Sequence, residues 1–245
     1  MSQPYCYWSV ADGHYAAMME RCVASARSAG VFKEFHVFTD TQIEGCECYD
    51  CQSVADTHGM FKLLYLKAGI SQLLFDNFVW IDADTLFRRN PWGILSLLER
   101  SPIHVPLMPF KQADRQGANS APAASRYAEL LIKAGVHNPV FDCNAAFWIV
   151  RRAAIDRVHD LALHFLGLAK QAGYTATQDE ALGYAMQMLC ANPAKHLRKS
   201  RAEVWGQGAA HGSETVTTGG PAILHLGREQ PPVLEPQAIE TMDIL

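Results

Sequence analysis

The chain has 245 residues, of which 49% are hydrophobic and 19% are charged, and its formal net charge is −4. The apolar content is sufficient for one large domain over residues 1–245, and the weak negative charge excludes an electrostatic attraction to nucleic acid. No apolar run reaches the ~18 residues of a membrane-spanning helix, so we expect no transmembrane segment.

The N-terminus and the cysteines predict a cytoplasmic protein. Residues 1–4 lack the basic region and the apolar region of a signal peptide. The chain has 7 cysteines, and an odd number without an export signal is typical of reduced thiols in the cytosol.

The first half of the sequence alternates strand and helix patterns. Residues 5–10 are β-rich, residues 15–28 carry a helical spacing of apolar side chains, and residues 35–38 form a second β-rich run. A strand, a helix and a strand within ~35 residues predict a βαβ unit, and therefore a parallel sheet with a right-handed crossover. A weaker strand near residues 49–54 and a helix over residues 59–68 follow.

The stretch at residues 78–86 organises the rest of the prediction. Its first four residues are large and apolar, which is typical of a strand buried on both faces. They lead into Asp82-Ala83-Asp84, and ligands of open α/β sheets bind beyond the carboxyl ends of the strands. Two carboxylates this close repel each other unless a cation lies between them, and hard oxygen ligands favour Mg²⁺ or Mn²⁺. The small Ala83 leaves room for the phosphates of a substrate; the alternative is that the two acids only cap the next turn.

The second half of the sequence has shorter elements and longer loops. Residues 111–125 contain few apolar side chains and residues 206–220 are rich in glycine, so both are predicted to be loops. The remaining predicted elements are a short helix over residues 93–98, strands over 103–108, 147–150 and 222–227, and helices over 155–169 and from an N-cap-like entry at 175–180 through 188.

Two classes of enzyme place an Asp-x-Asp motif at the end of a buried strand. In haloacid dehalogenase-like phosphatases Asp82 would be the nucleophile and Asp84 the acid/base, whereas in nucleotide-sugar glycosyltransferases the motif binds the donor. The phosphatase motif normally ends the first strand and is followed by a Gly-Asp-x-x-x-Asp motif, and the sequence meets neither condition. The order of elements therefore favours the glycosyltransferases.

Three segments, 10–17, 81–86 and 141–147, together with His225, resemble the glycosyltransferases of the GT-A fold, and among these family 8, which includes glycogenin and bacterial lipopolysaccharide galactosyltransferases. The resemblance implies an α/β fold: a single GT-A domain with a Rossmann-like, mostly parallel central sheet flanked by helices and with Asp-x-Asp at the end of a central strand.

The resemblance also implies a division of the domain. Residues 5–90 would form the nucleotide-binding half and residues 91–230 the acceptor-side half. Residues 231–245 contain three prolines and several acids, which predicts an extended tail.

The resemblance assigns residues to the donor. Asp12 and Tyr15 match the residues that hold the nucleotide base, and Lys62 falls where the family has a basic residue that reaches the sugar-nucleotide. Ala83, inside the Asp-x-Asp motif, and Asn144, in the segment that flanks the donor sugar, complete this set. Each also has a structural interpretation: Asp12 as a loop cap, Tyr15 as a core residue, Lys62 as a surface lysine and Asn144 as a turn former.

The implied metal ligands are Asp82, Asp84 and His225. One imidazole beside two carboxylates suits Mn²⁺ slightly better than Mg²⁺. The family ends its pattern with His-x-x-Gly-x-x-Lys-Pro, whereas the segment from His225 is one residue shorter and lacks the lysine. Gly227 would let the backbone approach a phosphate, and Arg228 would replace the lysine as a phosphate contact. Taken without the resemblance, His225 between two leucines is more typical of a core histidine.

The candidate catalytic residues are Asp179 and Glu180. The family has Asp-Gln before its late helix where this chain has Gln178-Asp179-Glu180, and the sequence leaves the register open. If Asp179 takes the position of the glutamine, a covalent glycosyl-enzyme is plausible; if either acid faces the acceptor, it can act as a base and give inversion. We expect retention. Both acids also have a structural interpretation, as complements to the dipole at the start of a helix.

The activity that follows is metal-dependent transfer of a sugar from a nucleotide-diphosphate donor, expected to be a UDP-sugar, to a glycan, a lipid-linked or a small-molecule acceptor. The loops at 111–125 and 206–220 would exclude water from the donor. The alternatives are the phosphatase and a nucleotide-sugar-binding protein without catalysis.

Overall fold

The computed structural model describes residues 4–51, 60–91, 93–99, 101–108, 121–137, 140–190, 205–207 and 222–225. Within these ranges, only the backbone is described for residues 14, 107–108, 121–125, 205–207 and 224–225. The helices are α1 His14–Ser28, α2 Phe61–Ala68, α3 Ala121–Lys133, α4 Ile155–Gln171 and α5 Gln178–Leu189. The strands are β1 Tyr5–Val10, β2 Phe35–Thr39, β3 Glu47–Asp50, β4 Asn77–Ile81, β5 Thr85–Phe87, β6 Ile103–His104, β7 Leu107–Met108, β8 Asp142–Cys143, β9 Phe147–Arg151, β10 Trp205–Gln207 and β11 Ile223–His225.

The main sheet has six strands in the order β3-β2-β1-β4-β9-β6. Strands β3, β2, β1 and β4 pair in parallel, and β9 is antiparallel to both β4 and β6. The prediction of a mostly parallel sheet flanked by helices is confirmed, with the Asp-x-Asp motif directly after the central strand β4.

Helices cover both faces of this sheet, which explains the unbroken apolar run of β4. Phe78 and Trp80 pack in one hydrophobic cluster with residues of α2, α4 and α5. Val79 and Ile81 pack in a second cluster with residues of α1 and of the 3-10 helix Ile94–Leu98. Because alternate residues of a strand point to opposite faces, a strand covered on both sides is mainly apolar on both, and buried Asn77 at the start of β4 is its one polar residue.

The turn between β1 and α1 depends on a glycine. Gly13 has φ +52°, a conformation that residues with a β-carbon adopt rarely. The turn places Asp12 and Tyr15 beyond the carboxyl end of β1, and β1 lies next to β4 in the sheet. Both therefore lie on the same edge of the sheet as the Asp-x-Asp motif.

A second, three-stranded sheet brings β11, late in the chain, next to the Asp-x-Asp motif. Strand β5 begins at Thr85, directly after Asp84, and pairs antiparallel with β11. The register sets His225 opposite Thr85, and β10 pairs in parallel on the other side of β11.

Two sequence predictions were wrong in part. The strand expected over residues 103–108 is divided into β6 and β7, because Pro106 lies between them and has no N–H group for a sheet ladder. The loop expected over 111–125 is helical from Ala121, where α3 begins. Alanine favours helices, and the helix buries Tyr127, Leu130 and Leu131 at helical spacing.

Other boundaries differ by small amounts or lie outside the described residues. The weaker strand expected near residues 49–54 is β3, Glu47–Asp50, and residues 52–54 lie outside the described ranges. Gly206 belongs to β10 rather than to a loop. Residues 111–120, 208–220 and the tail 231–245 are outside the described ranges. Within those ranges, no helix is long and apolar enough to cross a membrane.

Candidate functional site

Asp82 lies at the end of β4, where the backbone and a neighbouring side chain both hold it. Its N–H donates to the carbonyl oxygen of Ala146 at 2.8 Å, which extends the pairing of β4 with β9 by one residue. Its Oδ1 atom accepts the indole N–H of Trp80 at 2.7 Å. Asp82 and Asp84 are half-buried, whereas Ala83 is buried in the same hydrophobic cluster as Ile81.

Lys62 joins this strand end to α5. Its Nζ atom lies 3.1 Å from Oδ1 of Asp82 and 3.1 Å from Oδ1 of Asp179, and it donates to the carbonyl oxygen of Ala145 at 2.9 Å. These three acceptors match the three hydrogens of the ammonium group, and the side chain is only 4% exposed to water. Burial lowers the pKa of Lys62, but the carboxylates of Asp179 and Asp82 outweigh burial and hold that pKa above its ordinary value.

The N-terminus of α5 places the two predicted catalytic acids in different surroundings. Thr177 and Glu180 form a capping box: Thr177 Oγ1 accepts from the Glu180 N–H at 3.2 Å, and Glu180 Oε2 accepts from the Thr177 N–H at 2.9 Å. The Tyr174 hydroxyl donates to Glu180 Oε1 at 2.7 Å. Both carboxylate oxygens of buried Glu180 therefore bind within the protein, whereas half-buried Asp179 faces Lys62.

The loop before β9 completes the side of the site nearest Lys62. Asn144 Oδ1 accepts from the Ala146 N–H at 2.9 Å, which is a turn-forming contact. The carbonyl oxygens of Ala145 and Ala146 then bind Lys62 and the Asp82 backbone. The structure thus brings Asn144, Lys62, Asp82 and Asp179 together.

The edge formed by β1, β2 and β3 is rich in carboxylates. The Gly13 N–H donates to Asp40 Oδ1 at 3.3 Å, and Tyr15 is 41% exposed. Burial, together with the carboxylates of Asp12, Asp40 and Asp50, raises the pKa of the Cys51 thiol to about 11. The two residues predicted to hold the nucleotide base therefore lie at an exposed, acidic end of the sheet.

Strand pairing brings the backbone of His225 close to the other two predicted metal ligands, Asp82 and Asp84. His225 is opposite Thr85 in the β5–β11 pair, and Thr85 directly follows Asp84. Only the backbone of His225 is described. Among the described side chains, no group of three or more His, Cys, Asp or Glu residues is arranged to hold a metal ion. Carboxylates and an imidazole are donor types that suit Mn²⁺, so the chemistry of the predicted ligand set is compatible with the ion. Gly227 and Arg228 lie outside the described residues.

Three residues at the site were not identified from the sequence. Gln178 Oε1 accepts the Lys62 backbone N–H at 2.8 Å, and Cys143 Sγ donates to the carbonyl oxygen of Asp179 at 2.9 Å. These contacts join positions far apart in the chain and have no local signal. The third residue, Trp80, is two positions before Asp82, so strand alternation alone predicts that both point to the same side.

The fold is similar to solved glycosyltransferase structures. A crystal structure of galactosyltransferase LgtC in complex with donor and acceptor sugar analogues matches 96% of this chain and 93% of its own, with a TM-score of 0.61 and 15% identity. An active-site mutant of LgtC, in which glutamate replaces a glutamine, matches over the same shares with a TM-score of 0.58 and 14% identity. No protein-family model matches the sequence, and no curated protein matches it. The similarity extends over nearly the whole length of both chains, and we conclude that this protein has the fold of the GT-A glycosyltransferases.

Proposed function

We propose that the protein is a metal-dependent glycosyltransferase that moves a sugar from a UDP-sugar to a glycan, a lipid-linked or a small-molecule acceptor. The observation that carries this proposal is the placement of Asp82 and Asp179 on one buried lysine, at the carboxyl edge of a sheet with the GT-A fold. The likeness over the whole chain also favours this function over the phosphatase.

The donor would be held along the edge of the sheet. Asp12 and Tyr15 would bind the nucleoside at the end of β1. Asp82, Asp84 and His225 would hold Mn²⁺, or Mg²⁺ in its place, and the ion would neutralise charge on the diphosphate. Ala83, Gly227 and Arg228 are proposed to contact the donor as the sequence predicted, Ala83 through its backbone because its side chain is buried.

The sugar would lie beside Asp179 and Asn144. Asp179 is the acid that we assign to the sugar, because it is half-buried and belongs to the Lys62 cluster. The contacts of Glu180 favour a structural role in starting α5. Lys62 has its three hydrogens on protein acceptors, so we assign it to holding the two acids rather than to a direct contact with phosphate.

The cysteines are consistent with a reducing compartment, and we propose the cytoplasm. All 7 of them are free thiols, although Cys46, Cys48 and Cys51 are close in sequence.

The first expected result is a rise in melting temperature when UDP and Mn²⁺ are present together. A ligand at about 100 times its dissociation constant stabilises the folded state by about 2.7 kcal/mol, which corresponds to a rise of roughly 5–10 °C for a chain of this size. Differential scanning fluorimetry with UDP, UDP-sugars, ADP and UMP, each with Mn²⁺ or with EDTA, measures this directly. No shift with any nucleotide would refute the proposed function, and stabilisation by beryllofluoride with release of phosphate from phosphomonoesters would support the phosphatase instead.

The second expected result is retention of the anomeric configuration of the donor. Inversion needs a carboxylate base beside the acceptor hydroxyl. Asp179 is engaged by Lys62 and Glu180 by the capping box, so neither acid is arranged as such a base in the described site. Proton NMR of the first-formed product gives the anomeric coupling constant. An inverted centre would contradict the expectation, and UDP binding without any turnover would identify the non-catalytic alternative.

A further inference from the structure

Three tryptophans form a row across the middle of the main sheet. The registers of β1 with β4 and of β4 with β9 set Trp8 opposite Trp80 and Trp80 opposite Trp148. The ring centroids of Trp8 and Trp80 are 4.5 Å apart and those of Trp80 and Trp148 are 6.3 Å apart. All three side chains are buried, so the ring of Trp80 is fixed by aromatic neighbours on both adjacent strands.

The three indole N–H groups differ in what they contact. The N–H groups of Trp8 and Trp148 are buried and have no hydrogen-bond partner in the described part of the protein. The N–H of Trp80 donates to Asp82 Oδ1 at 2.7 Å, which is the short distance typical of a hydrogen bond to a charged acceptor. Trp8 and Trp148 therefore contribute only packing, whereas Trp80 also makes a polar contact with the Asp-x-Asp motif.

The Asp82 oxygen that accepts from Trp80 also binds Lys62. Lys62 Nζ lies 3.1 Å from Oδ1 and 5.3 Å from the centroid of the Trp80 ring. The terminal torsion of an aspartate has a broad energy profile, so a carboxylate without such contacts adopts many orientations. Two donors from buried residues on one oxygen restrict Asp82 to a single orientation.

We propose that Trp80 is a positioning residue, whose indole N–H sets the orientation in which the Asp82 carboxylate meets the metal and the diphosphate. The inference rests on the proposed function, because Asp82 is a ligand only if that function is correct. Its physical basis is preorganisation: a ligand that is already oriented loses less freedom on binding.

The test compares two substitutions of the same kind in the same row. Trp80→Phe keeps an aromatic ring and removes the N–H that contacts Asp82. Trp148→Phe makes the same change where the N–H has no partner. Both remove similar buried volume, but Trp80→Phe also loses a hydrogen bond to a charged acceptor, so its melting temperature without ligand should fall further than that of Trp148→Phe. In isothermal titration with Mn²⁺ present, UDP affinity should fall about tenfold in Trp80→Phe and remain unchanged in Trp148→Phe.

An NMR measurement tests the contact without any ligand. The protein has 5 tryptophans and hence five indole N–H cross-peaks in a ¹⁵N-correlated spectrum. The Trp80 peak, identified by its loss in Trp80→Phe, should lie downfield of the Trp8 and Trp148 peaks and should move when Asp82 is replaced by Asn. If Trp80→Phe does not fold, the Asp82→Asn spectrum still shows whether one indole peak responds.

The outcomes separate the two proposals. Wild-type protein that binds neither UDP nor Mn²⁺ would refute the proposed function, and with it the assignment of Trp80. Normal wild-type binding with equal affinities in Trp80→Phe and Trp148→Phe would overturn the positioning role alone. An Asp82→Asn spectrum in which no indole peak moves would overturn it as well.

Discussion

Replacing Lys62 with methionine is expected to lower the free energy of unfolding by about 2–3 kcal/mol. Removing one partner of a buried ion pair leaves a charge without compensation, which costs about 3–5 kcal/mol when both groups are fully buried. The carboxylates of Asp82 and Asp179 are 26% and 37% exposed, so water offsets part of that cost. Methionine keeps an unbranched apolar side chain and lacks only the terminal ammonium, so urea denaturation would mainly report the lost charge.

The same helix provides the control. Lys67 pairs with Asp156 at 3.3 Å, but the two side chains are 49% and 81% exposed. Lys67→Met should therefore change the free energy of unfolding by less than about 0.5 kcal/mol. Adding Asp179→Asn to Lys62→Met should recover part of the loss, because one of the two uncompensated charges is removed. Equal losses in the two lysine variants would show that the contacts of buried Lys62 stabilise the fold no more than an exposed ion pair does.

The direction of the pKa shift gives the pH range for this comparison. Burial lowers the pKa of Lys62 and the carboxylates raise it by more, so the folded-state pKa lies above 10.5. A raised pKa means that the folded protein holds the proton more tightly than the unfolded chain does. The contribution of Lys62 is thus fully present below about pH 10.5 and is lost only as the pH rises through the folded-state value. The difference between the two lysine variants should be constant at neutral pH.

Asp84→Asn is expected to lower UDP affinity in the presence of Mn²⁺ by more than about 100-fold. Loss of a group that only supports a ligand costs about 10–100-fold in metal affinity, and loss of the ligand itself should cost more. Asp84 is half-buried in a turn rather than in the core, so the circular dichroism spectrum should remain that of the wild type. Isothermal titration with UDP, with and without Mn²⁺, measures the effect.

Asp76→Asn is the matched control, because Asp76 is an exposed acid just before the opposite end of β4. It makes the same change beside the other end of β4, and UDP affinity should stay at the wild-type value. The metal proposal would be wrong if wild-type protein bound UDP equally well with and without Mn²⁺. It would also be wrong for Asp84 if the two variants behaved alike.

The main sheet could be predicted because its central strands have simple signatures. The run at residues 78–81 is apolar at every position, which is what a strand covered on both faces requires. Helix α3 was missed because residues 121–125, at its start, include Pro122 and Ser125, which are residue types also common in loops. Its apolar face becomes clear only from Tyr127 onward, where side chains reach the core.

The sequence was more informative about which residues belong to the candidate site than about how they contact each other. Asp82, Lys62 and Asp179 were each predicted to belong to the site, and the structure places their side chains in contact, while their roles stay predictions. Their arrangement around one ammonium group could not be read from the sequence, because it depends on how α2 and α5 pack against the end of β4. The capping box at Glu180 did have a local signal, since Thr177 and Glu180 have the Thr-x-x-Glu spacing of that motif.

The pairing of β5 with β11 has a consequence for the order in which a newly made chain acquires its parts. Strands β1 to β9 and helices α1 to α5 are all complete by Leu189, and they include every strand of the main sheet. His225 meets Thr85 across about 140 positions, and contacts of such long range form late because closing the intervening loop costs entropy. A chain still on the ribosome can therefore fold its sheet before it possesses the imidazole proposed for the metal. Under the proposed function, the main sheet would therefore form before the metal could bind, because the imidazole arrives only with β11.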